Sequence, residues 1–179
     1  MPDFFLPGVL TLVVLGLLAF FGYMVYAAVS GAPFWPLAPD AVGKLIASAG
    51  LDPRDTLVDL GSGDGRILEA AAPYVRSAVG FEINPFLCWW SRFRLRHYPH
   101  VRVLRRSFWG ENLSGATVVT LFFIPGKMDK LAHKLLAELA PGTRIVSAGF
   151  QFPGWHYEKK DGTVYLYLVP PAPEAAPPN

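Results

Sequence analysis

The chain has 179 residues, a formal net charge of +2 and 52% hydrophobic content, room for one domain of ordinary size plus an appendage. Its one cysteine, Cys88, excludes an internal disulfide and has no second thiol or histidine at ligand spacing, so neither a disulfide scaffold nor a metal centre is expected. From position 41 onward 16 basic residues stand against 12 acidic ones, a net +4 that is small for a polyanion-binding surface, and nucleic acid is not an expected partner.

Residues 4–39 contain no Asp, Glu, Lys or Arg, and the 22 residues from Gly8 to Val29 are almost wholly apolar. As a helix this run would rise about 33 Å, enough for a hydrocarbon core of about 30 Å. The sequence therefore predicts a short N-terminus (1–7) and a transmembrane helix (8–30) that makes the lipid bilayer a partner. A cleaved signal peptide fits less well, because the start, Met-Pro-Asp, has no basic residue and the apolar run is too long. All 16 Lys and Arg lie after residue 43. The positive-inside rule then predicts a single-pass protein with its domain in the cytoplasm.

Residues 31–40 form a Pro/aromatic segment that should run extended, with Phe34 and Trp35 at headgroup level as one reading. Asp40 is the expected N-cap of a helix over 41–49, which Gly50 ends. A buried strand over Leu57–Leu60 leads into Gly61-Ser62-Gly63-Asp64-Gly65, and a helix resumes at Ile67. Gly61, Gly63 and Gly65 allow positive φ and close ligand approach, while Asp59 and Asp64 bring carboxylates to the turn. The Gly-Lys-Ser/Thr of a nucleotide triphosphate loop is missing, and the negative charge would repel phosphate. Nineteen residues past Gly63, the strand Ala78–Phe81 ends in Glu82, where a carboxylate can accept both hydroxyls of a ribose. An acidic turn with a ribose hook suits the sulfonium and α-ammonium of S-adenosyl-L-methionine.

These residues carry a resemblance. Asp59 to Gly65 resembles motif I of the class I, seven-strand S-adenosylmethionine-dependent methyltransferases, and Glu82 with Asn84-Pro85 resembles the acidic motif that follows it. Glu82-Ile83-Asn84-Pro85-Phe86-Leu87, Trp90 to Arg94, Phe123-Ile124-Pro125 with Met128, and Phe150 to Trp155 are similar to membrane-anchored lysine methyltransferases. That family acts on the ATP synthase c subunit and the adenine nucleotide translocase. The resemblance implies an α/β fold, a Rossmann-like seven-strand sheet that is mostly parallel with an antiparallel C-terminal hairpin, behind the transmembrane helix. It implies cofactor contacts at Asp59, Gly61, Gly63, Asp64, Gly65, Glu82 and Asn84, with Ser107 at the place of an adenine-binding residue. It also implies that Phe34 and Trp35 wall a substrate-lysine channel, although Leu37 stands where the family has threonine.

Beyond Glu82, a helix over 85–97 is expected to bury Phe86, Trp89, Trp90 and Phe93 against the sheet. Arginines crowd 92–106, and a third strand (101–104) leads to Ser107. A fourth strand, Thr117–Phe123, ends in Ile124-Pro125-Gly126, where the transferred methyl should face the chain. No polar side chain there can hold a base or amide edge, and an aliphatic amine is favoured, so Phe123 and Pro125 join Phe34 and Trp35 as channel residues with no general base assigned. A helix over 127–140, a strand over 144–148 and a hairpin over 155–169 complete a methyltransferase domain at 41–169, before a Pro/Ala tail at 170–179. The expected activity is methyl transfer to a lysine ε-amine of a membrane or membrane-proximal protein. A methyltransferase for an aminophospholipid or quinone, and a non-catalytic cofactor-binding protein, are the alternatives.

Overall fold

The computed structural model describes residues 5–30 and 35–171, with side chains throughout except at 5–6 and 23–30. The chain divides into two compact units, Met1–Trp35 and Pro36–Asn179. In the first, helix α1 runs over Phe5–Ser30. Among the described residues no helix is long and apolar enough to cross a membrane. The expected single-pass span, its bilayer contact and the cytoplasmic placement built on it are corrected accordingly.

In the second unit α2 spans Pro39–Ala49. Its N-cap is Ala38, with Pro39 in the first turn, so Asp40 lies inside the helix near the positive end of the dipole instead of capping it. Gly50 ends α2 in the left-handed conformation at φ 54°.

Seven strands form one sheet in the order β3-β2-β1-β4-β5-β7-β6. They are β1 (Thr56–Leu60), β2 (Ser77–Phe81), β3 (Val101–Leu104), β4 (Val118–Phe122), β5 (Arg144–Ala148), β6 (Lys159–Asp161) and β7 (Val164–Leu168). Strands β1 to β5 are parallel, and β7 inserts antiparallel between β5 and β6. Short apolar runs suit these strands because a parallel sheet is covered on both faces. One face carries α2, α3 (Arg66–Ala71) and α4 (Pro85–Arg94), around Leu45, Leu57, Leu68 and Cys88. The other carries α5 (Met128–Glu138), around Leu60, Leu121, Leu131 and Tyr167. Strand order reverses between β1 and β4, and the crevice beyond their carboxyl ends is where such sheets bind ligands.

Helix α4 is turned opposite to expectation. It buries Leu87, Cys88 and Ser91, while Phe86, Trp89, Trp90 and Phe93 are exposed. Both stripes have helical spacing, and the choice between them follows from space. An added Cβ at Gly65 would lie 2.9 Å from the Ser91 Cβ and 3.1 Å from the Leu95 Cδ1, so α4 passes too near the glycine turn for a tryptophan on that side.

Candidate functional site

The site is built from the ends of β1 and β2. Gly61, Gly63 and Gly65 have φ of 79°, 55° and 82°, so the turn doubles back in a conformation that L side chains rarely adopt. It is pinned to β2: the Gly61 and Ser62 N–H groups both donate to the Phe81 carbonyl at 3.0 Å. The Gly63 N–H donates to Glu82 Oε2 at 2.9 Å, and the Asn84 N–H donates to Glu82 Oε1 at 2.7 Å. Glu82 is 8% exposed, and burial raises its carboxyl above the usual range against the backbone bonds that favour its charge. Each carboxylate oxygen accepts a backbone N–H and retains a further lone pair, the acceptor set that two ribose hydroxyls require.

Asp59 pairs in register with Gly80 on β2 and Thr120 on β4. Its Oδ1 accepts a 2.8 Å bond from the Thr120 hydroxyl, whereas its buried Oδ2 has no hydrogen-bond partner among the described residues. Burial pushes this carboxyl up to about 7, with Glu82 and Asp64 adding to the rise and Thr120 opposing it. A buried acceptor without a partner is costly, and it fits a polar or cationic ligand in the crevice. A Cβ at Gly61 would meet nothing within 4 Å, so the turn is open on that side. The residues present thus fit an adenosyl group carrying a cationic end.

The Asp59 titration has a sign that can be measured. An Asp in an unfolded chain titrates near 3.9, so between about pH 4 and 7 the folded chain holds the extra proton. That contribution to stability is complete below pH 4 and is lost as pH rises toward 7. Asp59→Asn is therefore expected to flatten the fall in melting temperature over that window, to raise the melting temperature of the ligand-free protein at pH 8, and to weaken cofactor binding. Thermal denaturation at several pH values checks the first two, and calorimetry the third.

Asp64, expected among the cofactor contacts, is already paired with two arginines. Burial alone would raise its carboxyl, but Arg66 outweighs this with bonds at 2.9 and 2.8 Å and Arg94 adds one at 3.1 Å, so it is held low. Its charge is compensated twice before any ligand arrives. Arg66 also donates to the Leu37 carbonyl at 2.6 Å, tying the segment before α2 to the turn. The Asn84 side chain caps α4, its Oδ1 accepting from Phe86 and Leu87 N–H at 2.9 and 3.1 Å. Ser107 is exposed at the start of the 3-10 turn Phe108–Gly110, where its side chain makes no cap bond.

Two of the four expected channel residues, Phe123 and Pro125, lie in the second unit. Phe34 lies outside the described residues, and Trp35 is 75% exposed in the first unit. Phe123 is only 6% exposed, packed edge-on to Phe108 and Trp109 in the core on the α5 side. Pro125 opens an exposed 3-10 turn. The half-buried rings beyond β4 and β5 are instead Phe122 and Phe150, stacked at 6.4 Å with planes 11° apart. Gly149, at φ 82°, makes room for them, since a Cβ there would lie 2.8 Å from the Phe122 ring. Sequence reading passed over Thr120, although a hydroxyl inside the apolar run Val118-Val119-Thr120-Leu121 is itself a sign of a buried polar partner.

Residues 59–159 match the model of the ANTKMT methyltransferase domain. The Xenopus laevis lysine N-methyltransferase of the ATP synthase c subunit is 41% identical over 102 residues, 55% of this chain and 45% of that protein. The chain spans about half the length of the ATP synthase-directed lysine N-methyltransferases that it matches. A protein-lysine N-methyltransferase of Saccharolobus islandicus is 34% identical over 150 residues, 76% of this chain and 93% of that one. Among solved structures, an RNA methyltransferase from Salinibacter ruber in complex with S-adenosyl-L-homocysteine has a TM-score of 0.73 and 34% identity, covering 80% of this chain and all of that one. The matched segment runs from Asp59 through the glycine turn, Glu82 and the sheet to Lys159, and the archaeal relative is covered almost end to end: the chain belongs to the ANTKMT methyltransferase domain family.

Proposed function

We propose that the chain is an S-adenosylmethionine-dependent protein-lysine N-methyltransferase whose catalytic domain is residues 41–169. The carrying observation is Glu82, which is fixed by one backbone N–H on each oxygen and tied through Gly63 to the glycine turn. When bound, S-adenosylmethionine supplies an electrophilic methyl on a sulfonium. Glu82 accepts the ribose hydroxyls, the open side of the glycine turn lets the nucleoside approach the backbone, and Asp59 offers its unpartnered oxygen to the polar end. The expected contributions of Gly61, Gly63 and Gly65 are thus to backbone shape. Asp64 acts through its arginines, Asn84 through the α4 cap, and Ser107 as a hydroxyl near the base.

A lysine amine with a reference pKa near 10.4 is neutral in only about one molecule in 2,500 at pH 7. The site's task is to align it and strip its water, which favours the neutral form. Phe122 and Phe150 are apolar rings at the carboxyl ends of β4 and β5, beside the switch point, and can hold an alkyl-ammonium before its proton leaves to water. The Salinibacter protein is described as acting on RNA. In this chain Phe122-Phe123-Ile124-Pro125 has no polar side chain to hold a base edge, which favours an aliphatic amine. The named substrates of the curated relatives support placing that lysine in a membrane or membrane-proximal protein.

Phe122→Ala or Phe150→Ala is expected to lower kcat/KM for the acceptor about tenfold while leaving cofactor affinity unchanged. Steady-state kinetics beside calorimetry separates the two effects. The proposal itself is tested by incubating membrane and soluble fractions with methyl-labelled cofactor and mapping the label by peptide mass. Label on protein lysines is expected, and label confined to lipid or RNA would refute it.

A further inference from the structure

The outer face of α4 is used neither by the core nor by the cofactor crevice. Phe86, Trp89, Trp90 and Phe93 are 65, 59, 41 and 52% exposed. Their ring centroids lie 6.0 to 6.4 Å apart, so they form one continuous apolar surface. Scattered exposed apolar side chains are ordinary, but a contiguous aromatic patch rimmed by charge marks an interaction site.

The rim is basic. Arg96 lies 4.3 Å over the Phe93 ring. Arg92, one turn earlier, is exposed and donates to the Val103 carbonyl at 2.8 Å, and Arg105 is exposed just past the end of β3. Arg102 is exposed on the edge strand β3, against which α4 packs. Among the described residues none of these four arginines has an acidic partner, whereas Arg94 and Arg106 do. Uncompensated guanidinium groups around Trp and Phe call for a partner that supplies apolar area at the centre and carboxylates at the edge; these are the residue types that dominate binding hot spots. Position adds to this. Asn84, whose N–H holds Glu82, is the N-cap of α4, so the N-terminal end of this face lies beside the ribose end of the cofactor crevice.

Resting on the protein-lysine reading above, we infer that the outer face of α4 docks the acceptor protein, through an apolar segment of that protein flanked by Asp or Glu. The four rings are packed on one another on a convex helix and leave no slot for successive bases to stack, which favours a protein segment over single-stranded RNA.

The probe is a synthetic peptide of Leu, Ala and Ser with one central lysine and two glutamates at each end, compared with a twin in which Gln replaces Glu. Binding to the full chain is read by calorimetry and methylation by initial rates. The Glu peptide is expected to bind about tenfold more tightly than the Gln twin. Trp89→Ser with Phe93→Ser is expected to raise its Kd and KM about tenfold while kcat and cofactor affinity stay unchanged. Because these side chains are exposed, the variant should keep the wild-type melting temperature. Arg96→Glu should reverse the preference toward a twin peptide flanked by Arg. Equal binding of Glu and Gln peptides, or an unaltered KM in the double variant, overturns the inference. So does a loss, in that variant, of binding to phosphatidylserine vesicles, to a single-stranded RNA or to a second copy of the chain in place of peptide binding. Peptide binding through α4 without methyl transfer upholds the docking face and counts against the lysine reading, so the two fail separately.

Discussion

Glu82→Gln is expected to weaken S-adenosylmethionine binding by about 100-fold, roughly 2.7 kcal/mol. The wild-type carboxylate gives each of its oxygens to one backbone N–H, at 2.9 and 2.7 Å, and has a lone pair on each for a ribose hydroxyl. Hydrogen bonds to a charged acceptor contribute about 1.5 to 3 kcal/mol each. The amide keeps one acceptor, now neutral, and turns the other into a donor that faces a backbone N–H. The ligand-free protein should respond differently. Burial raises the Glu82 carboxyl above its usual range, so its charge opposes folding at neutral pH. Removing that charge offsets the loss of one backbone bond, and the melting temperature should stay close to wild type. Calorimetry with a parallel melt distinguishes this from unfolding. An unchanged affinity in a folded variant would overturn the ribose assignment, whatever the acceptor.

The spine of this site was legible because its parts are close in sequence or follow from strand period. The glycine turn follows β1 directly, and Glu82 is the residue after β2, so a parallel pairing of the two strands brings them together. Contacts set by packing at long range were not legible. Asp59 meets Thr120 across 61 residues, and Arg94 reaches Asp64 across 30, which turned an apparently free acidic turn into a compensated one. The channel residues show how finely the period acts. Side chains alternate along β4, so with Leu121 on the α5 side Phe122 faces the α2 side, and Phe123 is again on the α5 side, in the core. A choice between two adjacent phenylalanines is a choice between faces of the sheet, and composition is identical for both. Helix α4 posed the same problem with a period of 3.6, where aromatic size suggested the wrong stripe.

The close approach of α4 to the turn also predicts a large loss of stability, at Gly65→Ala. At φ 82° an alanine costs about 1 to 2 kcal/mol in backbone strain. Its Cβ would stand 2.9 Å from the Ser91 Cβ on α4 and 3.1 Å from the Cδ1 of Leu95, the C-cap of that helix, both buried, and overpacking of this kind costs about 1 to 3 kcal/mol more. The sum, about 2 to 5 kcal/mol, corresponds to a fall of about 5 to 15 °C in melting temperature for a domain of this size. Ser91→Gly supplies the check. Alone it should destabilise by about 1 kcal/mol, the ordinary penalty of glycine within a helix. Combined with Gly65→Ala it removes the nearest clash, so the double variant should be more stable than the sum of the single losses requires. Strictly additive losses would mean that the backbone conformation alone demands Gly65. A positive coupling would mean that Gly65 and Ser91 are small for each other, which is also why α4 turns its small face inward and presents Trp89 and Phe93 to solvent beside the site.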